Sequence, residues 1–177
     1  MRKRSMAVLG MAAALGISLS AATTASAQGV VGDWAVWNSN SGKCLAIPGG
    51  SSAANGTTAI QYACDNPAPG VWDADQVWTW TLVSGATSTY TLKNKATDRC
   101  LAIGGASHTA GAEAIQWTCN GNTEQQWIDD STGRLRNKES NLCLTIGNAS
   151  TANSSPAIQW TCEAVTSNPE QQWFQVR

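Results

Sequence analysis

Cys100-Leu101-Ala102-Ile103, then Ala114-Ile115-Gln116-Trp117-Thr118-Cys119, then Gln125-Gln126-Trp127: this constellation is spelled three times in the chain. The first copy reads Cys44-Leu45-Ala46-Ile47, Ala59 to Cys64 and Gln76-Val77-Trp78; the third reads Cys143 to Ile146, Ala157 to Cys162 and Gln171-Gln172-Trp173. A unit repeated in this way predicts one supersecondary module used three times around a pseudo-threefold axis. Outward from each first cysteine, an aliphatic residue stands eight positions earlier (Val36, Leu92, Leu135) and an asparagine six earlier (Asn38, Asn94, Asn137). Each unit therefore begins one strand before its cysteine. The two cysteines of a unit lie 20, 19 and 19 positions apart, whereas the gap from the second cysteine to Gln-x-Trp is 12, 6 and 9. Constant spacing marks framework and variable spacing marks loops.

The segments between these landmarks read as strands. Trp34 to Asn38, Gln76 to Leu82, Thr89 to Asn94 and Trp173 to Val176 alternate and are rich in β-branched and aromatic residues. Turn formers cluster between them, as in Pro48-Gly49-Gly50-Ser51-Ser52 and Asp129-Asp130-Ser131-Thr132-Gly133. Four short strands per unit, over repeats at about 33–82, 89–130 and 133–177, predict an all-β protein closing into a twelve-stranded barrel with a hairpin cap.

Ahead of the repeats, Arg2-Lys3-Arg4, the apolar Met6 to Leu19 and the small-residue Ala25-Ser26-Ala27 have the layout of a secretory signal peptide over residues 1–27. The apolar run is shorter than the roughly 20 residues of a membrane-spanning helix. No later segment reads as a membrane span. A mature chain starting at Gln28, a single domain, keeps 8 Lys+Arg against 12 Asp+Glu, because Arg2, Lys3 and Arg4 leave with the leader. That balance disfavours nucleic acid and anionic lipid as partners. In an exported protein an even number of cysteines reads as disulfides. Repeat symmetry selects Cys44–Cys64, Cys100–Cys119 and Cys143–Cys162 from the possible pairings. The spacing is not that of a zinc site, and the chain has one histidine, His108.

Three Gln-x-Trp motifs in register with three cysteine pairs resemble the ricin B-chain type β-trefoil lectin domain, over roughly residues 33–177. The resemblance implies a β-trefoil of three four-stranded repeats with one shallow sugar pocket per repeat. It also implies that Trp78, Trp127 and Trp173 are core residues and that Gln76, Gln125 and Gln171 brace neighbouring loops. In the family, the pocket uses an Asp two residues after the first cysteine, an aromatic platform before the second, and a polar residue just before Gln-x-Trp. Here the Asp position holds Ala46, Ala102 and Thr145.

The aromatics Tyr62, Trp117 and Trp160 lie two before the second cysteine, where a platform would stand. Counting alternation with Ile60, Ile115 and Ile158 inward points Gln61, Gln116 and Gln159 outward and sends the aromatics into the core. A slip of one residue makes the aromatics platforms instead, and alternation favours the core. The residue before Gln-x-Trp is acidic in every unit: Asp75, Glu124 and Glu170. One reading moves the pocket carboxylate to this position, facing Gln61, Gln116 and Gln159; the plainer one makes these acids solvated turn caps. The first unit has an extended loop, Asp65 to Asp75, that holds Trp72 either as a further sugar platform or as a lid over the barrel.

Catalysis finds no constellation. His108 sits in a polar loop, and neither a Gly-x-Ser-x-Gly elbow nor a phosphate-binding glycine loop occurs. The acids recur by symmetry rather than facing each other across one cleft, as a glycosidase requires. The expectation is a secreted, monomeric, non-enzymatic carbohydrate-binding protein without cofactor or metal, weak per site and multivalent. The alternative is a trefoil that has lost sugar binding and contacts a protein, as an inhibitor or toxin-like partner.

Overall fold

The computed structural model describes residues 30–65, 71–164 and 166–176; the leader expected at residues 1–27 lies outside them. The first repeat forms β1 (Val30–Asn38), β2 (Cys44–Ala46), β3 (Ile60–Tyr62) and β4 (Val77–Leu82). The second forms β5 (Thr89–Asn94), β6 (Cys100–Ile103), β7 (Ala114–Trp117) and β8 (Trp127–Asp129). The third forms β9 (Leu135–Asn137), β10 (Cys143–Ile146), β11 (Ser155–Trp160) and β12 (Trp173–Val176). A single turn of 3-10 helix carries the acid and the Gln of each Gln-x-Trp: Ala74–Gln76, Thr123–Gln125 and Pro169–Gln171.

The twelve strands divide equally between two jobs, which corrects the expected twelve-stranded barrel. The outer strands of each repeat form a six-stranded barrel in which β1 pairs with β4 and β12, β4 with β5, β5 with β8, and β8 with β9. The bridge between Arg134 and Gln172 closes the ring. The inner strands make three hairpins, β2–β3, β6–β7 and β10–β11, that cap one end. The physical reason is volume. About eight strands already give an interior that side chains just fill, so twelve would leave a lumen these residues could not occupy.

The core repeats with the sequence. Val36, Leu92 and Leu135 are completely buried, as are Trp78 and Trp127, with Trp173 at 4% exposure. Each of these three indole N–H groups donates a 3.0 Å hydrogen bond to a cap-strand carbonyl, of Leu45, Leu101 and Leu144 respectively. A large aromatic body thereby fills the barrel while its one polar atom ties barrel to cap. The disulfides join Cys44 to Cys64, Cys100 to Cys119 and Cys143 to Cys162, as repeat symmetry predicts.

Candidate functional site: three equivalent surface clefts

The register of the cap hairpins decides which residues can meet a ligand. Leu45 lies opposite Gln61, Leu101 opposite Gln116 and Leu144 opposite Gln159, so each glutamine shares the inner face with a core leucine. All three glutamines have 0% exposure. Tyr62, Trp117 and Trp160, one residue further along, are 40%, 44% and 44% exposed. Both parts of the alternation-based expectation are therefore corrected. The aromatics stand outside the core, and Gln61, Gln116 and Gln159 are withdrawn as ligand contacts.

Burying a primary amide requires that its hydrogen bonds be met; the neighbouring repeat supplies carbonyl acceptors and the glutamine's own repeat a hydroxyl donor. Gln61 Nε2 donates to the carbonyls of Ser150 and Ala152 at 2.8 and 2.9 Å, while its Oε1 accepts from the Ser41 hydroxyl at 2.6 Å. Gln159 likewise donates to Ser107 and Thr109 and accepts from Ser140. Gln116 donates to Ala54 and accepts from Thr97. These side chains staple one hairpin to the turn of the preceding one.

On the outer face each repeat forms one cleft. In the first, of about 260 Å³, Ala46, Ile60 and Tyr62 meet Asp65 and Asp75, and Ser154 of the third repeat joins them. The second, also about 260 Å³, is lined by Ala102, Ile115, Trp117 and Glu124. The third, of about 350 Å³, gathers Thr145, Ile158, Trp160, Glu163 and Glu170. The aromatic and the acid before Gln-x-Trp thus lie in the same cleft three times over, and it is the aromatic, not the buried glutamine, that the acid joins. The floor is apolar in the first two. In the third, the Thr145 hydroxyl is directed at the backbone carbonyls of Ile146 and Glu170.

Three devices fix this geometry. Gln76, Gln125 and Gln171 brace the irregular segment on either side of the second cysteine. Each donates to one carbonyl (Ala63, Thr118, Thr161) and accepts from an N–H two residues on (Asp65, Asn120, Glu163), all at 2.9 Å. The backbone carbonyl of each acid accepts from a buried asparagine of the next repeat: Asp75 from Asn94, Glu124 from Asn137 and Glu170 from Asn38. Finally, a turn of the preceding repeat supports each aromatic strand, Gly56 N–H donating to the Gln116 carbonyl, Gly111 to Gln159 and Ser154 to Gln61. A side-chain Cβ at Gly56 or Gly111 would come to 3.9 or 3.8 Å from the Trp117 or Trp160 ring.

The acids differ in electrostatic setting. Burial, followed by the negative charges of Asp73 and Asp65, raises the Asp75 carboxyl above the ordinary Asp value. Glu124 has a long contact of 3.5 Å from the Asn120 side-chain amide. Trp72 does not join Tyr62 or Asp75. It is partly buried and lines a separate cleft of about 370 Å³ with Asp33, Ala35, Val77, Lys95 and Val176. His108 is exposed and its Nε2 lies 3.2 Å from Glu139.

Sequence reasoning missed several participants: Ile60, Ile115 and Ile158 as cleft walls, Asp65 and Glu163 as second carboxylates, and the asparagines as braces of the acids. Their constant offset from the first cysteine was the available signal for the asparagines. The second carboxylates each directly follow a cysteine.

A six-stranded barrel capped by three hairpins, with an aromatic and an acid in one cleft per repeat, defines a β-trefoil with three equivalent surface sites. Residues 34–173 match the ricin-type beta-trefoil lectin domain, and the chain belongs to that family. Among solved structures it is similar to ThreeFoil, a designed 3-fold symmetric protein, at 28% identity and a TM-score of 0.69, covering 82% of this chain and 98% of that one. An exo-beta-1,3-galactanase from Clostridium thermocellum shares 23% identity at a TM-score of 0.68, covering 82% of this chain and 30% of the enzyme. The Rhizoctonia solani agglutinin shares 16% identity at a TM-score of 0.66, covering 82% and 94%. No curated protein sequence matches this chain.

Proposed function

We propose that this protein is a secreted, non-enzymatic carbohydrate-binding module that engages a polysaccharide or glycan-bearing surface through three weak sites. The observation that carries the reading is the threefold recurrence of an exposed aromatic beside an acid in a shallow cleft. An aromatic face stacks on the apolar C–H face of a pyranose, and a carboxylate accepts hydrogen bonds from its hydroxyls. Membership of a lectin family supports it. So do two structural neighbours: a Polyporus squamosus lectin solved with Neu5Aca2-6Galb1-4GlcNAc and an earthworm R-type lectin half solved with GalNAc. Three similar faces on one monomer favour avidity on a repetitive ligand. The acids before Gln-x-Trp stand in for the carboxylate that the family places at the positions of Ala46, Ala102 and Thr145.

That same replacement favours a second reading, a trefoil whose clefts contact a protein partner. A glycan array probed with residues 28–177 separates the two. Binding that falls on Trp117→Ala and Trp160→Ala supports carbohydrate; a blank array under conditions sensitive to weak sites moves the assignment to a protein partner.

A further inference from the structure

We propose that the clefts select a polysaccharide carrying protonated primary amines, a polyglucosamine, over neutral and acidic glycans; this rests on the carbohydrate-binding reading above. The first cleft carries Asp65 and Asp75 beside Tyr62, the second Glu124 beside Trp117, and the third Glu163 and Glu170 beside Trp160. Among the described residues no Lys, Arg or His lines any of the three. None of the five carboxylates belongs to a salt bridge within the described residues, where the pairs are Lys93–Asp98, Lys95–Asp33, His108–Glu139 and Arg134–Asp130. Arg134 approaches the third cleft, its Nη1 donating to the backbone carbonyl of Glu163 at 2.8 Å. Its Nε and Nη2 are held by the Asp130 carboxylate at 2.9 and 2.8 Å, so it leaves Glu163 and Glu170 uncompensated.

Negative charge without a counter-charge, next to an exposed aromatic ring, is a setting for a cation. A ring face attracts an ammonium through its quadrupole, and a carboxylate attracts it through its charge. A neutral sugar gains stacking and hydroxyl bonds alone. A uronate or other acidic sugar meets like charge, which is unfavourable in a partly desolvated cleft. The ring also explains why the cation belongs on a sugar rather than on a basic peptide: an aromatic 40–44% exposed offers a stacking surface that a pyranose covers and a lysine chain does not. Three clefts on one chain suit a polymer in which the amine recurs. The third cleft, with two carboxylates and a tryptophan, is the strongest of the three.

The test measures affinity of residues 28–177 for hexamers of glucosamine, N-acetylglucosamine, galacturonate and lysine, at mildly acidic pH and low ionic strength. The glucosamine hexamer binds at least about tenfold tighter than its N-acetylated counterpart, a difference near 1.4 kcal/mol, and added salt erodes the difference. In Glu163→Gln/Glu170→Gln the ratio of the two affinities falls, and adding Glu124→Gln, Asp65→Asn and Asp75→Asn brings it toward one. Thermal melts check that these variants fold, which they should, because the framework bonds at Asp75, Glu124 and Glu170 use backbone carbonyls. A ratio of one or below in the parent overturns the amine inference and leaves the carbohydrate reading standing. Hexalysine bound as tightly as the glucosamine hexamer overturns it as well, in favour of a basic peptide. Silence toward every saccharide overturns both.

Discussion

The side-chain amide of Asn94 donates a 2.7 Å hydrogen bond to the backbone carbonyl of Asp75, so the acid of the first repeat is held in place by the second. Asn94 is completely buried, and its Oδ1 also accepts from the Ala96 N–H at 3.1 Å. Asn94→Ala strands a carbonyl and an N–H and costs about 2 kcal/mol. For a domain of this size that lowers Tm by roughly 4–8 °C, read in a thermal scan monitored by tryptophan fluorescence. A change below a degree would show that water replaces the amide.

Gln116 and Trp117 are adjacent and separate stability from binding. Gln116→Ala removes a fully buried amide with bonds to Ala54 and Thr97, and destabilises by about 3 kcal/mol. Trp117→Ala truncates a ring that is 44% exposed, so its stability cost is under about 1.5 kcal/mol. Its saccharide binding through the second cleft is lost. Denaturant melts paired with a binding titration check the crossing; equal stability losses would mean that the ring is a core element after all.

Asp75 gives a pH dependence with a definite sign. Its native carboxyl holds a proton more tightly than the unfolded chain does, chiefly through burial and then through Asp73 and Asp65. The native state therefore gains from this group below the ordinary Asp range near 3.9 and loses that gain as pH rises through the raised value. Asp75→Asn removes the loss. Compared with the parent, the variant's Tm advantage should be absent at the acid end and grow with pH until Asp75 is fully ionised, after which it stays flat. An advantage that shrinks with rising pH would mean that the carboxylate is stabilising in the fold.

Ser154, Gly56 and Gly111 occupy equivalent turns, and all three have positive φ, +63°, +85° and +91°. Glycine adopts this conformation without steric penalty, whereas serine does not. Ser154→Gly is expected to be neutral or stabilising by up to about 1 kcal/mol, and Gly111→Ser to destabilise by about 1–2 kcal/mol. Because a Cβ at Gly111 would stand 3.8 Å from the Trp160 ring, a backbone shift that relieves the strain of the second change should also disturb the third cleft. Calorimetric melts of the pair decide it; both variants moving in one direction would refute the strain argument.

The fold was legible because the chain states it three times: cysteine spacing, aliphatic position and Gln-x-Trp all carry over into pairing and burial. The orientation of the cap strands was not. Hydropathy sent Ile60 inward and Gln61 outward, yet Gln61 faces Leu45 on the inner side, because two carbonyls of the third repeat accept from its amide N–H groups and the Ser41 hydroxyl of its own repeat donates to its oxygen. A satisfied amide can occupy a core position that its own strand gives no reason to expect. Parity with the cysteines held the better clue. Tyr62 lies opposite Cys44 and two residues before its partner Cys64, so aromatic and disulfide share a face. The co-location of the acids with the aromatics came from the 3-10 turns before Gln-x-Trp, a tertiary arrangement that no local pattern reports.

The three asparagine bonds run in a circle, and the last of them, from Asn38 to Glu170, spans 132 positions of sequence to join the first repeat to the third. Strands β1 and β12 lie side by side, with Ala35 opposite Val176. Order along the chain is thus incidental to the sites, since each cleft needs its two flanking repeats and none needs a particular one to come first. A circular permutant that links β12 to β1 and opens the chain in the Val83–Ser88 turn would carry the same three clefts under a new numbering. Deleting β1 alone would undo the cleft at the opposite end of the sequence.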